Sequence, residues 1–357
     1  MTEAVEDPDP PIDADALAEA LLGERIALTR REVAARTGVP ADSYAALWRT
    51  MGYPDVDDED VAFTRADVES LKATARLFDL VAIDEASEEA FARTIGRTFS
   101  RLAEWQVRAM LPSVADPATG RVSDRELRKL RELLKLTARV QENVWRRHLA
   151  GAATRLAVQY GATADEWEPA CAGFVDIVGF TGRSRSMSGR DLAAFVDRFE
   201  GVVSDLVAEH GGRVVKTIGD EVFFVVDDPV EAAWLGVELA AQSVHDPTFP
   251  NVRVGMAYGD VLHRLGDVLG PVVNMASRLT SVALPGRVII DPRLADRVKG
   301  AAGLRLRKVR RINVKGFDSV QPWSLKLTRE DRSLRNAFED LLEDATEDLA
   351  MRLPRSE

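Results

Sequence analysis

Cysteine is all but missing from this chain: Cys171 is the single one in 357 residues. No intrachain disulfide framework can therefore staple the fold, and the composition suits a reducing compartment. Set beside an apolar run, Cys171 reads as a small buried hydrophobe rather than a nucleophile. Histidine is scarce as well, with only His148, His210, His245 and His263. They have no cysteine partners and no close spacing, which excludes a metal centre built on them. A surplus of positive charge is absent too: 47 Lys and Arg stand against 58 Asp and Glu, a net charge of −11. That balance speaks against a stable nucleic-acid partner or an anionic membrane surface. Nor does any apolar run approach the roughly 20 residues that a spanning helix needs. The leading MTEAVEDPDPPIDADA is acidic and proline-rich, the opposite of a secretory leader, so the expected compartment is the cytoplasm.

What the chain does have is 46% hydrophobic residues, an ordinary share with material for two domains at this length. Residues 1–12 read as a disordered acidic tail. From 13 to 163 the pattern is helical, without the β-branched alternation of strands. Thr29-Arg-Arg-Glu32 and Ser123-Asp-Arg-Glu126 are capping boxes. Residues 28–52 read as helix–turn–helix, a common packing unit as well as a DNA reader, and the surrounding acidity disfavours duplex binding. A long helix is expected over about 123–160, with no Gly or Pro between Ser123 and Ala150. Its apolar positions either pack on their own domain or couple two domains mechanically. His148, beside Arg146 and Arg147, is a regulatory candidate because histidine titrates in the physiological range; a plain solvent-facing histidine is the alternative. From 164 to 327, short β-branched runs alternate irregularly with helices, which predicts an α+β domain with a hairpin near Gly259-Asp260. Residues 328–357 read as an acidic helical appendage.

Three motifs carry chemistry. Phe174-Val175-Asp176-Ile177-Val178-Gly179-Phe180-Thr181 and Lys216-Thr217-Ile218-Gly219-Asp220-Glu221 each deliver an aspartate at the mouth of an apolar, β-prone run. Two such carboxylates can hold Mg²⁺ or Mn²⁺ against the oxygens of a nucleoside triphosphate. The third motif, Asp267-Val-Leu-Gly-Pro-Val-Val-Asn274-Met-Ala-Ser-Arg278, places Asn274 and Arg278 four apart, on one face of a helix. Singly, each residue has a dull explanation as a turn, cap or surface group. The dull reading fails jointly, because all of them stand in one order.

In that order and spacing the motifs resemble those of the class III nucleotidyl cyclases, over about residues 168–327. The resemblance implies a ferredoxin-like βαβ sheet with helices, and an adenylyl cyclase that converts ATP into 3′,5′-cyclic AMP and pyrophosphate. It assigns Asp176 and Asp220 to two divalent cations, Mg²⁺ or Mn²⁺, and Lys216 and Asp267 to the adenine base. Asn274 would orient the ribose and Arg278 would stabilise charge on the transferring phosphate. Backbone N–H groups of Ile177, Val178, Gly179, Phe180 and Thr181 would cradle the phosphates, and Lys315 would bind the triphosphate. Catalytic domains of the family pair head to tail, so the resemblance implies an obligate homodimer with shared sites. Gly219-Asp220-Glu221 also bears a surface likeness to diguanylate cyclases, but their doubled glycine and Glu-Phe ending are missing.

The N-terminal half is similar, diffusely and without a diagnostic motif, to helical regulatory domains of soluble bacterial cyclases. That likeness implies an inhibitory domain responsive to pH or to a fatty acid or lipid ligand. The rival reading is a non-catalytic, nucleotide-sensing regulator. The intact Asp176, Asp220, Asn274 and Arg278 argue against it, since a receptor need not keep transition-state groups.

Overall fold

The computed structural model describes residues 14–81, 84–113, 122–159, 167–312 and 319–328. The expected tail over 1–12, Lys315 and the appendage beyond Thr328 lie outside the described residues. The chain divides into two compact units, 1–163 and 164–357. Among the described residues, no helix is long and apolar enough to cross a membrane.

The first unit is helical. After α1 (Ala14–Leu22), α2 (Arg30–Thr37) and α3 (Ala41–Thr50) form the expected helix–turn–helix. Thr29 opens α2 with a full capping box: its N–H donates to the Glu32 carboxylate at 2.9 Å, and its hydroxyl accepts from the Glu32 N–H. The element that the sequence reading leaves out is a small antiparallel sheet of β1 (Leu28–Thr29) and β2 (Val61–Phe63). It closes a core of Leu28, Val33, Tyr44, Phe63, Val68 and Leu71, where the Tyr44 and Phe63 rings meet at 5.4 Å. Arg30 is buried beneath the α3–β2 connection and held by Asp55 at 3.0 Å and Asp58 at 2.9 Å. Three helices follow: α4 (Arg65–Val81), α5 (Glu85–Met110) and α6 (Asp124–Gln159). On α6, Leu130 is 2% exposed, whereas Leu136, Val140, Val144, Trp145 and Leu149 all face solvent. Packing on its own unit therefore accounts for the beginning of this helix alone.

The second unit is built on β3 (Trp167–Ile177), the centre of an eight-stranded sheet. Its neighbours are β5 (Glu221–Val226) and β6 (Val252–Arg264), both antiparallel to it, and β4 (Arg213–Ile218) lies outside β5. With α8 (Gly189–Glu209) and α9 (Pro229–His245) as crossovers, the order β4-β5-β3-β6 is the expected ferredoxin-like core. The sheet continues through β8 (Val288–Ile290), parallel to β6, to β10 (Trp323–Leu327) and β9 (Leu304–Lys308), while β7 (Asp267–Leu269) pairs with the far end of β6.

Both faces of the sheet are covered, which explains the continuous apolar runs. Cys171, Val175, Val222 and Phe224 pack with α8, α9 and α11 (Pro292–Val298). Ala172, Phe174, Phe223 and Val225 pack with α10 (Pro271–Val282). Cys171 is buried and unpaired, and burial pushes its thiol well above the usual range, in keeping with the small-hydrophobe reading. One expectation is corrected. β6 runs straight through Gly259-Asp260, and the hairpin lies at Leu265-Gly266, both with positive φ, 54° and 79°. Gly259 answers a packing need instead, since a Cβ there would lie 2.9 Å from the Val272 side chain.

Candidate active site

An apolar strand covered on both sides can end on a carboxylate only where something compensates the charge. Asp176, 8% exposed near the end of β3, stands opposite Glu221 of β5 and Arg253 of β6. Arg253 Nε donates to Asp176 Oδ2 at 2.6 Å, and its Nη1 donates to the Ser281 carbonyl at 3.3 Å. Asp220 sits in the tight turn between β4 and β5, next to Gly219 at φ 68°, a left-handed conformation that favours glycine. Its carbonyl accepts from the Ile177 N–H at 3.2 Å, so the turn is tied to the end of β3. The three acids feel one another. Burial raises the Asp176 carboxyl above its ordinary value, and the charge of Asp220 adds to this, against the pull of Arg253. Burial pushes Glu221 up to about 7, with Asp176 and Asp220 contributing.

These groups fit a hard divalent cation. The donors are oxygens alone, and the raised carboxyls of Asp176 and Glu221 mark a group short of positive charge. Among the described residues no set of three or more His, Cys, Asp or Glu forms a closed cage, so remaining ligands would come from water and substrate.

A second group lies on β4 and β7. Lys216 Nζ donates to Asp267 Oδ2 at 2.5 Å, and Asp267 also accepts from the Val268 N–H at 2.8 Å. Burial alone would raise the Asp267 carboxyl; the hydrogen bonds from Lys216 and Val268 outweigh it and hold the group below its ordinary value. Both side chains remain partly exposed, so a ligand can reach them.

The third group is on α10. Pro271 starts this helix, and Met275, Ala276 and Leu279 bury one face against the sheet. The opposite face presents Asn274 and Arg278 to solvent, one turn apart. Among the described residues no hydrogen bond or ion pair joins either of them to Asp176, Asp220, Lys216 or Asp267.

The phosphate cradle is narrower than its sequence reading. The Ile177 N–H is spent on Asp220, and the Val178 N–H donates to the Asn251 carbonyl at 2.9 Å, so neither can meet a phosphate. Gly179, at φ 74°, turns the chain into the short α7 (Phe180–Ser184), where the first N–H groups have no acceptor within the helix. His148 is exposed on α6, and its neighbour Arg146 is engaged by Glu142 at 2.8 Å. Arg253 and Glu221 were missed in the sequence. Their signal is a charge at the start of a largely apolar run, first in β5 and second in β6.

Residues 163–327 match the adenylate and guanylate cyclase catalytic domain, and residues 6–141 match the adenylate cyclase regulatory domain. The chain is 35% identical over 328 residues to an adenylate cyclase of Glutamicibacter nicotianae, covering 87% of this chain and 81% of that one. It is 38% identical over 304 residues to an adenylate cyclase of Streptomyces coelicolor, covering 81% and 79%. A solved structure of the adenylyl cyclase CyaB from P. aeruginosa is similar over 46% of this chain and 97% of its own, with 23% identity and a TM-score of 0.42. Acids gathered from β3, β5 and the β4–β5 turn, a Lys–Asp pair on β4 and β7 and relatives matched over most of their length lead to one conclusion: the chain belongs to the adenylate cyclases, which convert ATP into cyclic AMP and pyrophosphate.

Proposed function

We propose that two copies of this chain form each catalytic site, with Asp176 and Asp220 from one copy facing Lys216, Asp267, Asn274 and Arg278 of the other. The observation that carries this reading is the isolation of Asn274 and Arg278: both are exposed on α10, with no hydrogen bond or ion pair to the aspartates. A positively charged group kept clear of its own carboxylates is available to a second molecule. The exposed apolar row on α6 supports pairing as well, because large unpartnered apolar stripes mark association surfaces.

In this reading Asp176 and Asp220 hold two divalent cations, which when bound activate the ribose 3′-hydroxyl and screen the triphosphate. Arg253 keeps the Asp176 carboxylate oriented. The adjoining ammonium and carboxylate of Lys216 and Asp267 offer adenine a donor and an acceptor side by side. Asn274 orients the ribose, and Arg278 stabilises charge that grows on the transferring phosphate. Gly179, Phe180 and Thr181 supply phosphate-facing N–H groups, joined by Lys315. The helical half restrains this assembly through α6 and releases it on a signal such as pH or a lipid ligand, with His148 as the regulatory candidate.

The test of the shared site is a mixing experiment. Asp176→Ala and Arg278→Ala chains are each expected to be inactive, while their mixture regains activity through heterodimers with one intact site. Proven subunit exchange without recovered activity would overturn the proposal.

A further inference from the structure

A cavity of about 770 Å³ lies between α3 and α5, and nothing in the catalytic reading uses it. Arg49 of α3 and Arg93, Arg97 and Arg101 of α5 line it, with Ser100 beside them. Three of the arginines recur every four residues and so share one face of α5. A helix face turned toward its neighbour is ordinarily apolar. Here that face reads Arg, Gly, Arg, Ser, Arg at positions 93, 96, 97, 100 and 101, while the apolar Ile95, Phe99 and Trp105 are exposed. The two helices still touch closely, for a Cβ on Gly96 would collide with the main chain of Met51 at the end of α3. The arginines rim this junction, with their side chains exposed to solvent.

Charge pairing within the cavity is partial. In the cavity, Arg93 is paired with Glu89 and Arg49 reaches Asp55 only at 3.6 Å. Arg97 and Arg101 have no carboxylate within ion-pair distance among the described residues. Like charges gathered in one concavity repel, so Arg97 and Arg101, without a carboxylate beside two arginines that have one, leave room for an anion in an acidic chain of net charge −11.

We propose that this cavity binds a free phosphate-chain anion, an oligophosphate or the polyphosphate tail of a nucleotide. Arginine forks pair bidentately with phosphate oxygens, and several forks around one cavity match a ligand with several phosphates. The volume is that of a small-molecule site. An acyl chain is a poor match, because Ala46 and Met51 bring the only non-polar side chains to the lining.

Isothermal titration of the full chain with sodium tripolyphosphate in EDTA tests this directly. Wild type is expected to bind one equivalent per chain more than Arg97→Gln/Arg101→Gln, with affinity for that equivalent at least about tenfold weaker in the variant. Arg97→Lys/Arg101→Lys keeps the charge without the fork and is expected to fall between. Thermal melts establish that each variant folds; should the Gln pair unfold, the Lys pair carries the test, and affinity equal to wild type overturns the proposal. No binding by wild type, or equal titrations for wild type and a folded Gln pair, also overturn it. Vesicles containing phosphatidylinositol bisphosphate distinguish a lipid source: tighter binding to them than to tripolyphosphate would overturn the free-anion assignment. A dimer lost in the Gln pair, with no anion bound by wild type, would assign the arginines to a second copy instead.

Discussion

In residues 167–328 the central strands are buried over most of their length, and α8 and α9 lay Phe199, Val203, Leu235 and Leu239 across them with almost no exposure. Residues 14–159 bury a compact cluster around Phe63, yet their two longest helices leave Trp105 66% and Val140 62% exposed. The first kind of unit closes its own core. The second has more apolar surface than it can cover, and free energy is gained when that surface meets another, at roughly 25 cal/mol per Å². A catalytic unit with a closed core and a helical unit with uncovered apolar surface make a natural division between chemistry and control.

The largest effect that tests this division is on turnover. Asp176→Ala or Asp220→Ala is expected to abolish cyclic AMP formation while the melt of the whole chain hardly changes. Residual rates above about a tenth of wild type, some 1.4 kcal/mol of barrier, would remove these carboxylates from the centre of the chemistry. The base pair should be nearly as sensitive. Lys216→Glu with Asp267→Cys is expected to collapse activity with ATP, because each mismatched polar group costs about 1–3 kcal/mol. Unchanged preference for ATP over GTP would cancel their assignment to adenine.

Packing offers the next contrast. A Cβ on Gly255 of β6 would run into the main chain of Thr280 on α10. Gly255→Ala is therefore expected to cost about 1–3 kcal/mol or more and to displace the helix that carries Asn274 and Arg278. Gly201→Ala on α8, where open space surrounds the new methyl, should instead gain about 0.5–1 kcal/mol. Equal melting temperatures for the two variants would show that the sheet and α10 are not locked as tightly as their geometry requires.

Control is tested by interrupting α6. Inserting two glycines after Thr137 breaks the helix within its exposed stretch. If α6 transmits restraint, the activity of this variant should rise toward that of a chain lacking residues 1–163. Identical activities for the intact, interrupted and shortened chains would leave the helical unit without a regulatory role.

How much of this was legible in the sequence follows from what each residue answers to. The motifs that hold Asp176, Asp220, Lys216, Asp267, Asn274 and Arg278 stand out in the sequence because phosphate and base chemistry demand particular side chains in a fixed order; their roles rest on the proposal above. The capping boxes were readable because they are local. Gly259-Asp260 misled because a glycine that admits Val272 has the same spelling as one that makes a turn. The true turn carries Leu265, which no turn preference would select. Strands of two and three residues, β1 and β2, are too short for alternation to register. Periodicity marked α6 as a helix with an apolar row, but the surface that covers the row is not written in local pattern. Arg253 went unread for a related reason: its partner Asp176 is 77 residues away.

The smallest effect concerns the seam between α8 and the end of α9. Asp246 accepts hydrogen bonds from the Thr248 hydroxyl at 2.6 Å and from Arg198 Nη2 at 2.7 Å, and one from the Thr248 N–H at 2.8 Å. The Thr248 hydroxyl lowers the Asp246 carboxyl most, Arg198 and the Thr248 N–H lower it further, and together they bring it to about 2 from an ordinary 3.8. A carboxyl held low in the folded chain stabilises the fold above its unfolded pKa, and that contribution is lost as pH falls from about 4 to about 2. Asp246→Asn should therefore lower the melting temperature of the catalytic unit slightly at pH 7. The difference should shrink through this acid window and vanish at its lower end. The melt of residues 1–163 should not respond, since among the described residues no group there is bonded to Asp246. A difference that persists unchanged at pH 2 would mean that the substitution acts through packing rather than charge.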